Sequence, residues 1–179
     1  MELLDYRDPG LKVPAKQFDF QNPPFDPIDF AQNLVKFMYD KNAICVSAPQ
    51  VGVPYRIFAM RGAPENFVCF NPRVVMNGEE EIRLEEISLT YPGLCVKIKR
   101  PRHCKVRFAT PNGEIKTETY TGLTARTFLH NMDFLNGEVF YHKANPIHRQ
   151  QALKKWKNGK YEYLLSGSLP GTISTLDGR

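Results

Sequence analysis

Leu129-His-Asn-Met-Asp-Phe-Leu-Asn-Gly137 is the segment that decides the fold of this 179-residue chain. The apolar residues from 125 to 135 recur at the spacing of one helix face, and Gly137 is a typical stop signal, so a helix is predicted from about Thr124. Residues four apart share a helix face, which makes His130 and Phe134 neighbours. Two histidines at that spacing are typical of a metal site. Here only the first position is His.

Strand patterns dominate the sequence before this helix. An earlier helix is predicted around Ala31–Tyr39, capped by Asp26 or Asp29, and a last one from Pro146 to about Leu165. The predicted strands are Ala43–Ser47, Tyr55–Met60, Asn66–Phe70, Arg73–Val75, Ile82–Leu89, Lys97–Lys99, Lys105–Ala109 and Ile115–Thr121. Asn112-Gly113 is a strong hairpin signal between the final two. This order of elements predicts an α+β fold with antiparallel sheet.

Length and composition indicate one domain. We expect it to span residues 1–165, with residues 166–179 as a flexible tail. No apolar run is long enough to cross a membrane, and the start Met1-Glu-Leu-Leu-Asp resembles neither a signal nor a transit peptide. The predicted location is therefore the cytoplasm, or an organelle if a presequence has been removed. Four cysteines without a C-x-x-C pair favour reduced thiols.

The net charge of +5 is concentrated near the end of the chain. Residues 142–160 contain eight Lys, Arg or His side chains and no Asp or Glu. A solvated basic face is the common interpretation of such a run, and an acidic partner such as RNA is the alternative.

Three segments, in order, resemble the signature motifs of peptide deformylases. Ala43-Ile-Cys-Val-Ser-Ala-Pro-Gln50-Val-Gly-Val53 resembles G-x-G-x-A-A-x-Q-x-G, and Glu86-Ile-Ser-Leu-Thr-Tyr-Pro-Gly93 resembles E-G-C-L-S-x-P-G. Leu129-His-Asn-Met-Asp-Phe-Leu-Asn-Gly137 resembles Q-H-E-x-D-H-L-x-G. The resemblance covers residues 4 to 160 and implies the deformylase fold, with antiparallel sheets around the helix of the third motif and a C-terminal helix.

The same resemblance implies a hydrolase that uses Fe, Zn or Ni to remove the N-formyl group from formyl-methionyl peptides. The family's three metal ligands correspond here to Ser88, His130 and Phe134, and its catalytic Glu corresponds to Asn131. Only His130 is retained, so we expect no metal cofactor and no metal-dependent deformylation. A hydrogen-bonded, partly buried His130 is favoured over a metal-binding one.

Parts of the substrate-binding apparatus correspond more closely. Gln50 and the N–H of Leu89 match the groups that hold the formyl oxygen, although Gln50 is equally compatible with a structural amide joining two strands. The other predicted substrate-binding residues are Ile44, Cys45, Glu86 and His130, with Leu84 and Leu123 at apolar positions of the methionine pocket. Cys45 replaces a Gly where the peptide approaches, and Arg126 and Thr127 stand where the pocket wall is usually apolar or small.

Three functions remain open from the sequence. The first is an inactive deformylase-like protein that binds N-terminal methionyl peptides, or the ribosome through its basic C-terminal helix. The second is an active deformylase with a rebuilt metal site that combines His130 with Cys45 or Cys95. The third is a deformylase fold retained for an unrelated surface interaction.

Overall fold

One helix separates two antiparallel sheets in the computed structural model, which describes residues 1–158. The predicted domain boundary at residue 165, the tail 166–179 and the end of the predicted last helix lie outside the described residues. The α-helices are α1 Pro27–Asp40, α2 Gly122–Leu135 and α3 Pro146–Lys157. The strands are β1 Cys45–Ser47, β2 Ile57–Met60, β3 Phe67–Asn77, β4 Glu81–Ser88, β5 Tyr91–Pro101, β6 His103–Ala109 and β7 Ile115–Thr121.

The larger sheet has the strand order β1-β2-β3-β6-β7, and the smaller is the β4–β5 hairpin. The five pairings between the named strands of residues 1–158 are antiparallel, and the predicted α+β class is confirmed. The hairpin predicted at Asn112-Gly113 is present, with Ala109 opposite Ile115. Gly113 has φ +83° and the N–H of Thr110 donates to the carbonyl of Glu114 at 2.8 Å.

Three strand predictions were wrong in extent. The segments Asn66–Phe70 and Arg73–Val75 form a single strand, β3, whose register shifts between Phe70 and Arg73. Asn71 lies there at φ +49° and is followed by Pro72, which has no N–H to give to the ladder. The strand predicted at Lys97–Lys99 runs from Tyr91 to Pro101. Its buried positions alternate through Leu94, Val96 and Ile98 to a buried arginine.

Within residues 1–158, the core consists of three apolar clusters. The first joins α2 to β2, β3 and β6, and the second packs α1 on β1 and β2. The third packs Phe134 of α2 against Leu94, Val96 and Ile98 of β5. Opposite faces of α2 are therefore buried by different sheets, as predicted for the central helix. Among residues 1–158, no helix is both long and apolar enough to cross a lipid bilayer.

Candidate functional site

Helix α2 carries His130, Asn131 and Phe134 into the layer beneath the β4–β5 hairpin. Its end is fixed by Gly137, which has φ +70°. A Cβ at this position would lie 2.7 Å from the carbonyl oxygen of Lys12, closer than real Cβ contacts. Only glycine fits such a position without a backbone shift. The missing side chain of Gly137 therefore lets the end of α2 pack closely on the N-terminal arm, which is the segment of residues 1–26 before α1.

A buried cluster of charged side chains fills the interface between α2 and the hairpin. Arg100 of β5 donates through Nε and Nη2 to Glu86 of β4 at 2.6 and 2.8 Å, and through Nη2 to Asp133 of α2 at 2.7 Å. Arg126 of α2 donates to Glu86 at 2.6 Å. The side chains of all four are at most 7% exposed. The negative charges of two carboxylates and the positive charges of two guanidinium groups thus compensate each other. Because the groups are buried, water does not screen the attraction between them.

Arg126, which the sequence placed at the wall of an expected methionine pocket, has its guanidinium held in the buried cluster. Its Nη2 donates to the carbonyl of Ile82 at 2.6 Å and its Nη1 to the carbonyl of Ile98 at 3.1 Å. These bonds direct the guanidinium into the buried cluster and join α2 to both strands of the hairpin. Glu86 belongs to the second motif and Asp133 to the third, so Arg100, which donates to both carboxylates, links these two motifs.

The ionisation of this cluster is set by burial and by its ion pairs. Burial opposes ionisation of Glu86, but hydrogen bonds from Arg100 and His130 outweigh it and lower the pKa of Glu86 to about 2. Burial raises the pKa of Asp133 despite the nearby Arg100. Burial likewise lowers the pKa of Arg126, although Glu86 opposes that change. Glu86 is therefore the firmly anionic member to which the cations and His130 bind.

His130 is held by Glu86 and by aromatic rings. Its Nδ1 lies 3.0 Å from the Glu86 Oε2, and its ring centroid is 5.5 Å from that of Phe134 and 5.1 Å from that of Phe140. The residue is 6% exposed. A carboxylate on one imidazole nitrogen is the arrangement that orients metal-binding histidines through the other. The orienting partner of a metal ligand is therefore present.

The remaining ligand positions do not fit a metal ion. Phe134 is 2% exposed and packs in the third apolar cluster, so its ring occupies the helix face beside His130. The Ser88 Oγ and the Asn131 Oδ1 are buried without a hydrogen-bond partner among the described residues. Within residues 1–158, no three His, Cys, Asp or Glu side chains come together as a ligand set.

Gln50 joins the first motif to the second. Its Oε1 accepts from the N–H and the hydroxyl of Ser47 at 2.9 and 3.1 Å, and its Nε2 donates to the hydroxyl of Thr90 at 2.9 Å. Gln50 is 3% exposed. These contacts fit the structural role that the sequence left open for Gln50 beside a binding role. One N–H of its Nε2 remains for a second acceptor.

The first motif forms the outer edge of the large sheet. Strand β1 pairs only with β2, so its second edge is unpaired in the described chain. Ile44, just before it, is 59% exposed, and Leu123 and Leu84 are 47% and 39% exposed. Leu89, by contrast, packs against the second apolar cluster. Desolvation raises the pKa of the Cys45 thiol to about 11, so Cys45 is a neutral thiol at neutral pH.

Cys95, the other thiol considered for a rebuilt site, lies elsewhere. It lines a groove between β5 and α3 together with His148 and Lys155. Burial raises its pKa to about 11 as well.

Comparison with known proteins identifies the family. The sequence profile described as "Polypeptide deformylase" matches residues 1–150. The chain belongs to the polypeptide deformylase family. A peptide deformylase of Thermodesulfovibrio yellowstonii is similar, at 33% identity over 166 residues that cover 89% of this chain and 98% of that protein.

Solved peptide deformylases share the fold. The enzyme from Synechococcus elongatus, in complex with actinonin, is 26% identical with a TM-score of 0.80, covering 88% of this chain and 86% of its own. The Thermotoga maritima deformylase is 28% identical with a TM-score of 0.76, covering 81% and 97%. The deformylase fold predicted from the three motifs is thereby confirmed.

Proposed function

We propose that this member of the deformylase family does not catalyse metal-dependent deformylation and acts through binding. The observation that carries this proposal is the buried Phe134 ring beside His130, at the position of a family metal ligand. A phenyl ring has no lone pair that it could donate to a metal ion. It also fills the space that an ion and its bound water would occupy.

The chemistry of the other positions supports the same conclusion. A catalytic zinc site needs three protein ligands and an open position for water. The Ser88 hydroxyl is a far weaker ligand than a thiolate, because it stays protonated near neutral pH. Without a metal, water keeps a pKa of about 15.7 instead of about 7, so hydroxide is scarce. The amide of Asn131 cannot accept the proton that a carboxylate would take.

An active deformylase with a non-standard site is the alternative, and the name of the relatives favours it. Such a site would need ligands other than those of the motifs. His130 with Cys45 or Cys95 is the ligand pair that the sequence offers, and metal binding would have to displace the proton that burial holds on either thiol.

Metal content and turnover decide between these functions. The purified protein is incubated with Fe²⁺, Zn²⁺ or Ni²⁺ under anaerobic conditions, desalted and analysed for metal, and then assayed on formyl-Met-Ala-Ser with and without chelator. We expect less than stoichiometric metal, no difference between the wild type and His130→Ala, and no turnover above background. Stoichiometric metal that is lost in His130→Ala, or turnover abolished by chelator, would show an active enzyme.

Peptide binding is the activity that we propose remains at this site. The free edge of β1 could accept a peptide strand by backbone pairing. Ile44, Leu84 and Leu123 supply exposed apolar surface. By correspondence with the family motifs, the Leu89 N–H and the second N–H of Gln50 would supply the donors. The Cys45 side chain narrows the approach relative to glycine, so we expect weak binding.

The basic surface of α3 is proposed as a ribosome contact. Lys154, Lys155 and Lys157 are exposed, whereas Lys160, predicted in the same run, lies outside the described residues. Trp156 is directed inward, and its Nε1 donates to the carbonyl of Pro92 at 2.8 Å. The tryptophan therefore anchors the helix and leaves the lysines available for RNA phosphates.

A further inference from the structure

A concave site beside the N-terminal arm is lined by three arginines and by no acid among the described residues. It has a volume of about 670 Å³ and is formed by the N-terminal arm, β3, β6 and the β6–β7 turn. None of the described residues that line it is Asp or Glu, and none belongs to the Glu86–His130 cluster. Arg56, Arg73 and Arg107 supply its charge. We call it the arginine pocket.

Two of these arginines face each other across a strand pair. Arg73 of β3 is the direct partner of Arg107 of β6, and both are exposed. Like charges directly opposite one another destabilise a sheet. Within residues 1–158, neither has a carboxylate within 4.0 Å. The lysines of β5 differ, because Lys99 pairs with Glu81 at 2.6 Å and Lys97 lies 4.0 Å from Glu85.

Arg56 adds a positive charge that is partly withdrawn from water. Its Nη1 donates to the carbonyl of Leu135 and to the Asn136 Oδ1, both at 3.1 Å. These partners are neutral oxygens, which hold the guanidinium in place without cancelling its charge. Burial lowers the pKa of Arg56 as expected for a cation without a carboxylate partner. The attraction of a bound anion would offset the energetic cost of desolvating Arg56. It would also offset the repulsion between Arg73 and Arg107.

The wall beside the arginines is apolar and rigid. Phe20 is partly exposed, and its ring packs at 4.9 Å from Phe18 and 5.4 Å from Phe70. Ile115 extends the wall and is 58% exposed. Asn71 fixes the arm that carries Phe20 by accepting from the N–H of Phe18 at 2.7 Å and donating to its carbonyl at 2.9 Å.

We propose that the arginine pocket binds a nucleoside polyphosphate, with its phosphates at Arg73 and Arg107 and its base against Phe20. Guanidinium groups match phosphate geometry through paired hydrogen bonds. A single aromatic face accepts a base by stacking without choosing among bases. The volume of the pocket lies in the range of small-molecule sites.

Calorimetric titration with GDP, ADP and inorganic pyrophosphate at low and physiological salt tests this proposal. Arg107→Glu is compared with Arg83→Glu, which reverses the charge of another exposed strand arginine in the β4–β5 hairpin. We expect saturable nucleotide binding, at least about a tenfold loss of affinity in Arg107→Glu, and little change in Arg83→Glu. Phe20→Leu should weaken the nucleotides and leave pyrophosphate binding unchanged.

Three results would overturn the proposal. One is the absence of saturable binding at low salt for all three anions, and another is an equal loss in both arginine variants. The third is pyrophosphate binding as tightly as GDP, since the base would then make no contact. Binding of an RNA oligonucleotide alone, without the small anions, would place the site among RNA-binding surfaces instead.

Discussion

Replacing Glu86 with glutamine tests whether the buried cluster supports the candidate site. The substitution keeps the shape of the side chain, removes its charge and turns an amide N–H₂ toward the donors of Arg100 or Arg126. Lowering the pKa of Glu86 from 4.5 to about 2 corresponds to about 3 kcal/mol of stability at neutral pH, at about 1.36 kcal/mol per pKa unit. Removing one partner of a buried ion pair gives a similar figure, about 3–5 kcal/mol.

The sign of the pH dependence follows from the lowered pKa. Glu86 binds a proton more readily in the unfolded chain, so its contribution is complete above pH 4.5 and is lost as the pH falls toward about 2. Asp133, whose pKa is raised, acts in the opposite direction in both proteins. The difference in stability between wild type and Glu86→Gln therefore reports Glu86 together with its bonds to Arg100 and His130, and it should narrow by about 2 kcal/mol between pH 7 and pH 3.

Urea unfolding followed by circular dichroism measures this difference. The matched control is Glu85→Gln, which removes an exposed carboxylate from the neighbouring position of the same strand. Surface substitutions of this kind usually change stability by about 0.5 kcal/mol or less. If the two variants were equally stable at pH 7, or if their difference did not depend on pH, the buried ion pairs would not stabilise the fold as inferred here.

Three further predictions concern function. The triple variant Ser88→Cys, Asn131→Glu, Phe134→His should be the smallest change that restores metal binding and deformylation. The reason is that the effects of catalytic groups acting as a unit are not additive. Deformylation by any of the three single variants would contradict this prediction. Titration with Met-Ala-Ser followed by NMR should shift the resonances of Ile44 and Leu89 with a Kd on the order of 1 mM, and unchanged spectra would rule out peptide binding there. Wild-type protein should co-sediment with ribosomes at low salt and lose this contact steeply with added salt. Replacing the three described lysines of α3 with Glu should abolish this contact, whereas replacing three exposed lysines elsewhere with Glu should not. Equal co-sedimentation of the two variants would show that the lysines of α3 do not contact the ribosome. The control lysines are Lys12, Lys41 and Lys116.

The fold could be predicted where its signals are local. The apolar spacing of α2 and its stop at Gly137 lie within one short segment, and the Asn112-Gly113 turn specifies its own hairpin. The three motifs then supply the family. Strand register and strand length were harder to predict from the sequence. The bulge at Asn71, for example, depends on a side-chain contact with Phe18, which is 53 residues away.

The buried cluster was not predicted because its contacts are distant in sequence. Arg100 reads as a surface residue at the end of a basic strand, and charged residues are rarely buried without a partner. Its partners Glu86 and Asp133 lie 14 and 33 residues away. The sequence feature that could have predicted its burial is the alternation along β5, because Arg100 follows Leu94, Val96 and Ile98 at every second position.

The position of the single tryptophan gives the molecule an intrinsic optical reporter. Trp156 lies in the last turn of α3, with its ring centroid 5.0 Å from that of Tyr6 and 6.2 Å from that of Tyr91. Its fluorescence emission therefore depends on the N-terminal arm, β5 and α3 together. Release of α3 from β5 would change that emission while the sheets and α2 remained folded. A fluorescence transition that precedes the circular dichroism transition would thus identify α3 as a separately unfolding unit.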